Sequence, residues 1–181
     1  MALLRAVNVG GRNRVPMGDL REIAGELGVD SPATYLQSGN LVFATQPARA
    51  EQLRRELHSA IAGRLGVTTP VILRDLDALD AAIAANPFPE AAAEHPASLL
   101  VVFLERRGDP AGVPALQAAA RADEQLQLVG SELFIHYRGG VANSRLTAAV
   151  LDKRLAAAGT ARNWNTVLAL AALARSVGKR E

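Results

Sequence analysis

The sequence predicts an α+β fold built from two tandem modules, each with the element order β-α-β-β-α-β. Three observations carry this. Short apolar runs of strand length alternate with segments of helical periodicity. Glycine-bearing tight turns join pairs of short strands into one hairpin per half. The first hairpin, Leu36-Gln37-Ser38-Gly39-Asn40-Leu41-Val42-Phe43, is echoed by Gln127-Leu128-Val129-Gly130-Ser131-Glu132-Leu133-Phe134-Ile135, which reads as an internal duplication.

Ala2 to Val9 is expected to be a strand, apolar and ended by Gly10-Gly11. Met17 to Leu27 predicts a helix, with Leu20, Ile23, Ala24 and Leu27 on one face and Gly28 as its stop. Thr34 to Gln37 and Leu41 to Ala44 are the hairpin strands. Ala48 to Leu65 is a second helix, its leucines and isoleucine repeating every four residues, and Val67 to Arg74 a fourth strand. This order is the split-βαβ or ferredoxin-like arrangement. Asp75 to Ala85 adds a linking helix with an acidic first turn, which Asn86-Pro87-Phe88-Pro89 breaks.

The order then repeats. Ser98 to Leu104 is a strand and Pro110 to Ala122 a helix. Gln125 to Val129 and Leu133 to Tyr137 form a hairpin across Gly130-Ser131, and Ser144 to Ala157 a helix stopped by Gly159. In place of a plain fourth strand stands the polar segment Thr160 to Thr166, followed by a last helix to Val177. The expected modules are residues 1–85, including the linking helix, and 86–181, including the terminal helix.

Composition bounds the function. Half of the 181 residues are apolar and a fifth are charged, as in ordinary globular chains; aromatics make up only 4%. The net charge of +2 does not by itself imply nucleic acid; it would do so only if the arginines cluster. The absence of cysteine excludes disulfides, thiolate chemistry and cysteine-based metal sites. His58, His95 and His136 have no second ligand at metal spacing in their own segments, so no metal and no cofactor is expected. No apolar run is long enough to span a membrane, and the start lacks the pattern of a signal peptide, which predicts a cytoplasmic protein. The excess of arginine over lysine and the many alanines suggest a high-GC genome.

Three segments are more polar than the fold requires. The first is Arg5, Asn8, Gly10, Gly11, Arg12, Asn13 and Arg14; the second is Gln37-Ser38-Gly39-Asn40; the third is Arg162-Asn163-Trp164-Asn165-Thr166, with Asn143-Ser144-Arg145 upstream. Strands one and two of such a sheet run the same way, so the loops that follow them lie at one end. Adjacent glycines expose backbone N–H groups and arginines add fixed charge, a combination that receives anions. The corresponding second-half positions, Glu105 to Asp109 and Gly130 to Glu132, are more acidic, which places a ligand site on the first half. Against this, Gly10 and Gly39 could simply make turns, and Asn40 could satisfy backbone groups. Trp164 reads either as a core anchor or as a base-stacking ring, and Arg162 either as a phosphate ligand or as an internal brace.

The blocks Leu3-Leu4-Arg5-Ala6-Val7-Asn8-Val9-Gly10-Gly11, Tyr35 to Phe43 and Thr160 to Val167 resemble the bacterial family catalogued as domain of unknown function 1697. The resemblance implies a duplicated ferredoxin-like architecture and no established activity. The chain departs from the family in having Ala6 where glycine is usual and Ala169 where lysine is usual. Ser144-Arg145-Leu146 replaces a Ser-Lys-Leu block and keeps its charge.

The expected function is a binding module for an anionic ligand (a nucleotide, RNA or a phosphorylated metabolite). It would act through Arg5, Asn8, Gly10, Gly11, Arg12, Asn13, Gln37, Ser38, Asn40, Arg162, Asn163, Trp164 and Asn165. The alternatives are a protein-interaction or scaffolding role, including a homodimer, and an enzyme using these groups as transition-state donors. No paired nucleophile and base is visible.

Overall fold

The structure, a computed structural model, describes residues 1–142 and 144–178. Asn143, flanking the third polar segment, lies outside them. The described chain holds two four-stranded antiparallel sheets and seven α-helices, and it divides into two compact units. One comprises Met1–Ala78 and the chain from Leu170 onward; the other comprises Leu79–Ala169. No described helix is long and apolar enough to cross a membrane.

The first unit contains β1 (Ala2–Leu4), α1 (Met17–Glu26), β2 (Ala33–Thr34), β3 (Asn40–Val42), α2 (Pro47–Leu65) and β4 (Val71–Leu73). Its strands are ordered β2-β3-β1-β4, with Leu3 opposite both Asn40 and Ile72. Leu4, Leu41, Phe43 and Val71 meet Leu20 and Ile23 of α1 and Leu53, Leu57 and Ile61 of α2 in one core. The other face carries Leu3 and Ile72, which are also buried. Gly66 ends α2 in the left-handed conformation that glycine adopts freely, and its N–H donates to Ala62. The Arg49 guanidinium donates to the carbonyls of Leu27 and Gly28, supplying donors that the end of α1 lacks.

α3 (Leu76–Ala84) leads into the second unit, which contains α4 (Pro89–Glu94), β5 (Leu99–Leu104), α5 (Val113–Ala119), β6 (Glu124–Val129), β7 (Glu132–Tyr137), α6 (Ala148–Leu155) and β8 (Gly159–Asn163). α7 (Trp164–Gly178) returns the chain to the first unit. The strand order is β6-β7-β5-β8. Val102, Leu104, Leu133 and Ile135 form its core with Leu116 of α5 and Leu151 and Leu155 of α6.

Several expectations are corrected. β1 stops at Leu4, because Ala6 and Asn8 take positive φ and Thr69 captures the backbone of Arg5 on both sides. Thr160 to Asn163 is a plain fourth strand after all, paired with β5 from Leu104↔Gly159 to Leu100↔Asn163. The Asn86 to Pro89 break is followed at once by α4, whose first turn holds the proline that would disrupt a helix interior. α6 begins only after Thr147, whose hydroxyl caps the Val150 N–H. From Leu170, α7 clusters with Met1–Ala78.

Candidate functional site

The loop after β1 and the turn between β2 and β3 lie together at one end of the first sheet, and Asn8 ties them. Its Nδ2 donates to the carbonyls of Val15, at 2.8 Å, and Gln37, at 2.7 Å, while its Oδ1 accepts from the Val15 N–H at 2.9 Å. The valines flanking this loop, Val7 and Val15, are buried in the core and anchor its ends. Between them Gly10 and Gly11, both at positive φ, turn the chain so that Val9 and Arg12 bridge in antiparallel fashion. Two consecutive positive φ values are the requirement of the tight hairpin turn that glycine pairs satisfy. Asn13 closes the loop, donating from Nδ2 to Ala6 at 3.1 Å and accepting the Asn8 N–H on its carbonyl.

The second loop is equally constrained. Gly39 is at φ +74, and a Cβ there would lie 2.6 Å from Val7 and 2.7 Å from Leu4. Its carbonyl accepts the Leu4 N–H at 2.8 Å. Asn40 is fully buried, and its amide donates to the Tyr35 carbonyl and to the Ser38 hydroxyl. Of the non-glycine residues at positive φ, Ala6, Asn8, Asn13 and Leu36 all belong to these two loops. Backbone conformations of that kind persist where surrounding structure enforces them, and they concentrate at functional sites.

This frame presents a distinct chemistry to solvent. Arg12 and Arg14 are exposed and form no ion pair or side-chain hydrogen bond among the described residues. Neither loop contains a carboxylate. Beside them stand two large apolar side chains, Val9 at 65% and Leu36 at 55% exposure. Gln37 and Ser38 are exposed as well. Strand direction alone brings the two loops to one end of the sheet, and the structure places them there. Val9 and Leu36 escape a reading of the sequence, because an apolar residue beside a strand reads as core.

The roles of the predicted residues divide. Asn8, Asn13 and Asn40 spend their amides inside the protein and build the frame. Arg5 is half-buried, with its backbone N–H shared by Thr69 and the Pro70 carbonyl. The third segment belongs to the second unit. There Arg162 is buried and donates to the Thr160 hydroxyl and the Ala161 carbonyl, both at 2.8 Å, and burial lowers its pKa to about 10. Trp164 is buried at the start of α7, Asn163 caps that helix through the Thr166 N–H at 2.9 Å, and Asn165 is exposed.

Two clefts lie away from these loops. One in the first unit, of about 1050 Å³, is bordered by Gln46, Arg49, Arg74 and Asp75 over Phe43 and Val177. One in the second, of about 530 Å³, holds His95, His136 and Arg138. None of the candidate ligand residues lines either. No cluster of three or more potential metal ligands occurs among the described residues.

Fold and surface together define a two-sheet α+β protein that carries a rigid, carboxylate-free pair of arginine-bearing loops on its first sheet. The chain belongs to the family described as Protein of unknown function (DUF1697), whose model matches residues 1–134. Among solved structures it is similar to the conserved bacterial protein SP0830 from Streptococcus pneumoniae. The two share 23% identity and a TM-score of 0.74, over 96% of each chain, which is a likeness of fold. No curated protein matches.

Proposed function

We propose that this protein is a binding module for an anionic, phosphate-bearing ligand, held by the paired loops of the first unit. The observation that carries the reading is the clamp made by Asn8. It fixes two strained loops side by side with neutral amide bonds, and so leaves Arg12 and Arg14 exposed on loops that contain no carboxylate. Guanidinium groups recognise phosphate oxygens in bidentate fashion, and the turn at Gly10 and Gly11 lets a phosphate approach the backbone. Gln37 and Ser38 add polar groups, and Val9 and Leu36 give an apolar surface for a base or sugar.

The test is titration of a fluorescently labelled RNA oligonucleotide, and of nucleotides, at low salt. The double variant Arg12→Ala/Arg14→Ala should bind at least about tenfold more weakly. Its dependence of log K on log salt should flatten by about one for each phosphate that the variant no longer neutralises. A folded wild-type protein that binds none of these ligands removes the reading.

A second reading rests on Val9 and Leu36 alone. Two exposed apolar side chains on a rigid frame also suit a protein partner, including a second copy of the chain. Light scattering of the protein alone tests self-association directly: a dimer that Leu36→Asp disrupts supports it, and a monomeric wild type removes it.

We further infer that the two units are ferredoxin-like modules related by duplication, in a bacterial cytoplasmic protein. Support comes from their matching strand orders and from matching backbone bonds. Leu4 donates to Gly39 as Leu104 donates to Ser131, and Arg5 to Pro70 as Glu105 to Ala158.

A further inference from the structure

His136 sits in β7 opposite Leu99 of β5 and Gln125 of β6. It occupies the sheet face opposite that of Leu133, Ile135 and Tyr137, which join the helix-covered core. It is only 4% exposed, yet its Nε2 is buried with no hydrogen-bond partner among the described residues. Buried polar atoms are nearly always paired, so an unpaired one calls for a reason. The ring of His95 lies nearly parallel to it, with centroids 6.3 Å apart and planes inclined by 18°. Both histidines line the cleft of about 530 Å³ in the second unit, a size within the range of small-molecule sites.

The walls of this cleft are chemically divided. Arg138 and Gln125, both exposed, stand with the two imidazoles as potential donors, and Phe88 between two prolines gives an apolar wall. Glu90 and Glu94 of α4 line the cleft too. Two carboxylates repel a polyanion more strongly than a singly charged anion, which favours the latter at the arginine. We propose that this cleft is a second ligand site, independent of the paired loops, which takes a carboxylate attached to an apolar body. The carboxylate pairs with Arg138 and accepts from His136 Nε2, and the body lies against Phe88.

In the free protein, burial, Arg138 and His95 together hold the His136 imidazole below its usual pKa. A bound carboxylate opposes that shift, so binding should be stronger at mildly acidic pH. The chain has only three histidines, and His58 belongs to the first unit, with Nδ1 2.8 Å from the Thr69 carbonyl oxygen. It therefore serves as an internal reference for nitrogen-15 NMR of histidine in the full chain.

Benzoate added at about pH 6 should move the His95 and His136 ring signals and leave His58 in place. The affinity should drop at least about tenfold in Arg138→Ala, an exposed substitution that leaves the fold intact. A short peptide ending in a C-terminal phenylalanine carries the same carboxylate and ring. Tighter binding of the peptide assigns the site to chain ends, tighter binding of benzoate to free organic acids, and both support the proposal. Three results overturn it: a His136 signal unmoved by tens of millimolar benzoate, an Arg138→Ala variant that binds as wild type does, or inorganic phosphate that binds as tightly as benzoate.

Discussion

The loops that follow the first strand of each unit start from the same backbone bonds and end in opposite chemistry. In the second unit most of the charge is consumed locally, with the exposed Arg107 as the exception. Arg106 donates to Glu105 at 2.6 Å and to the Ala156 carbonyl, Glu105 also accepts the Ala158 N–H, and Asp109 caps the Ala111 N–H at 2.9 Å. In the first unit the same task falls to the amides of Asn8 and Asn13 on left-handed backbone. A loop fastened with neutral groups keeps its arginines for something else. A loop fastened with ions spends part of its charge on itself. Of these two loops, only that of the first unit carries positive charge with no carboxylate beside it in sequence.

The largest effects are expected at the hairpin glycines. Gly39→Ala adds a Cβ onto Val7 and Leu4 at a positive φ, and should destabilise by about 3 kcal/mol, the sum of an overpacked core and a left-handed alanine. Gly130→Ala meets nothing closer than 3.9 Å and should cost only about 1 kcal/mol. Urea unfolding of the two variants, analysed by midpoint at constant slope, measures the contrast.

Next in size is Asn8→Ala, which removes three hydrogen bonds and a residue type tolerant of positive φ. A loss of about 2 kcal/mol is expected, with faster amide exchange in residues 9–14 and 35–39. Glu105→Ala, its counterpart among exposed charges, should cost under about 1 kcal/mol. Equal costs would erase the distinction between amide-fastened and ion-fastened loops.

A smaller effect is read by pH. The pKa of His136 is depressed in the folded chain, so the unfolded chain binds the proton more readily. Stability on this account is intact above the ordinary value of 6.5 and is lost as pH falls below it. Substituting His136→Phe should flatten the decline in Tm between neutral and mildly acidic pH. It should leave stability at neutral pH within about 1 kcal/mol, because no hydrogen bond of Nε2 is lost. The smallest change belongs to Arg12→Ala/Arg14→Ala, which should move stability by no more than about 0.5 kcal/mol while weakening anion binding. A large loss of stability there would mean that the arginines fasten the loop themselves.

The repeated order of strands and helices was legible because periodicity and glycine punctuation survive in single segments. The core faces of α1 and α2 follow from leucine and isoleucine spacing alone, and the meeting of the first two loops follows from strand direction. What escaped depended on partners distant in the chain. Asn8 looked like a ligand-binding amide; only the position of Val15 and Gln37 shows that it is already engaged. Arg162 looked equally available, but its strand pairing with β5 turns it into a buried position. The stacked pair of His95 and His136 joins residues from the approach to β5 and the end of β7, and no spacing rule within one segment connects them.

One consequence follows from the path of α7. Its last turns cluster with Met1–Ala78, residues translated well before them. Domains emerging from a ribosome tend to fold in the order in which they are made. Here the unit that holds Met1–Ala78 must wait for α7 before it is whole, although the residues of the other unit are made in between. A nascent chain stalled before Leu170 would present the first unit incomplete, however long it had been outside the exit tunnel.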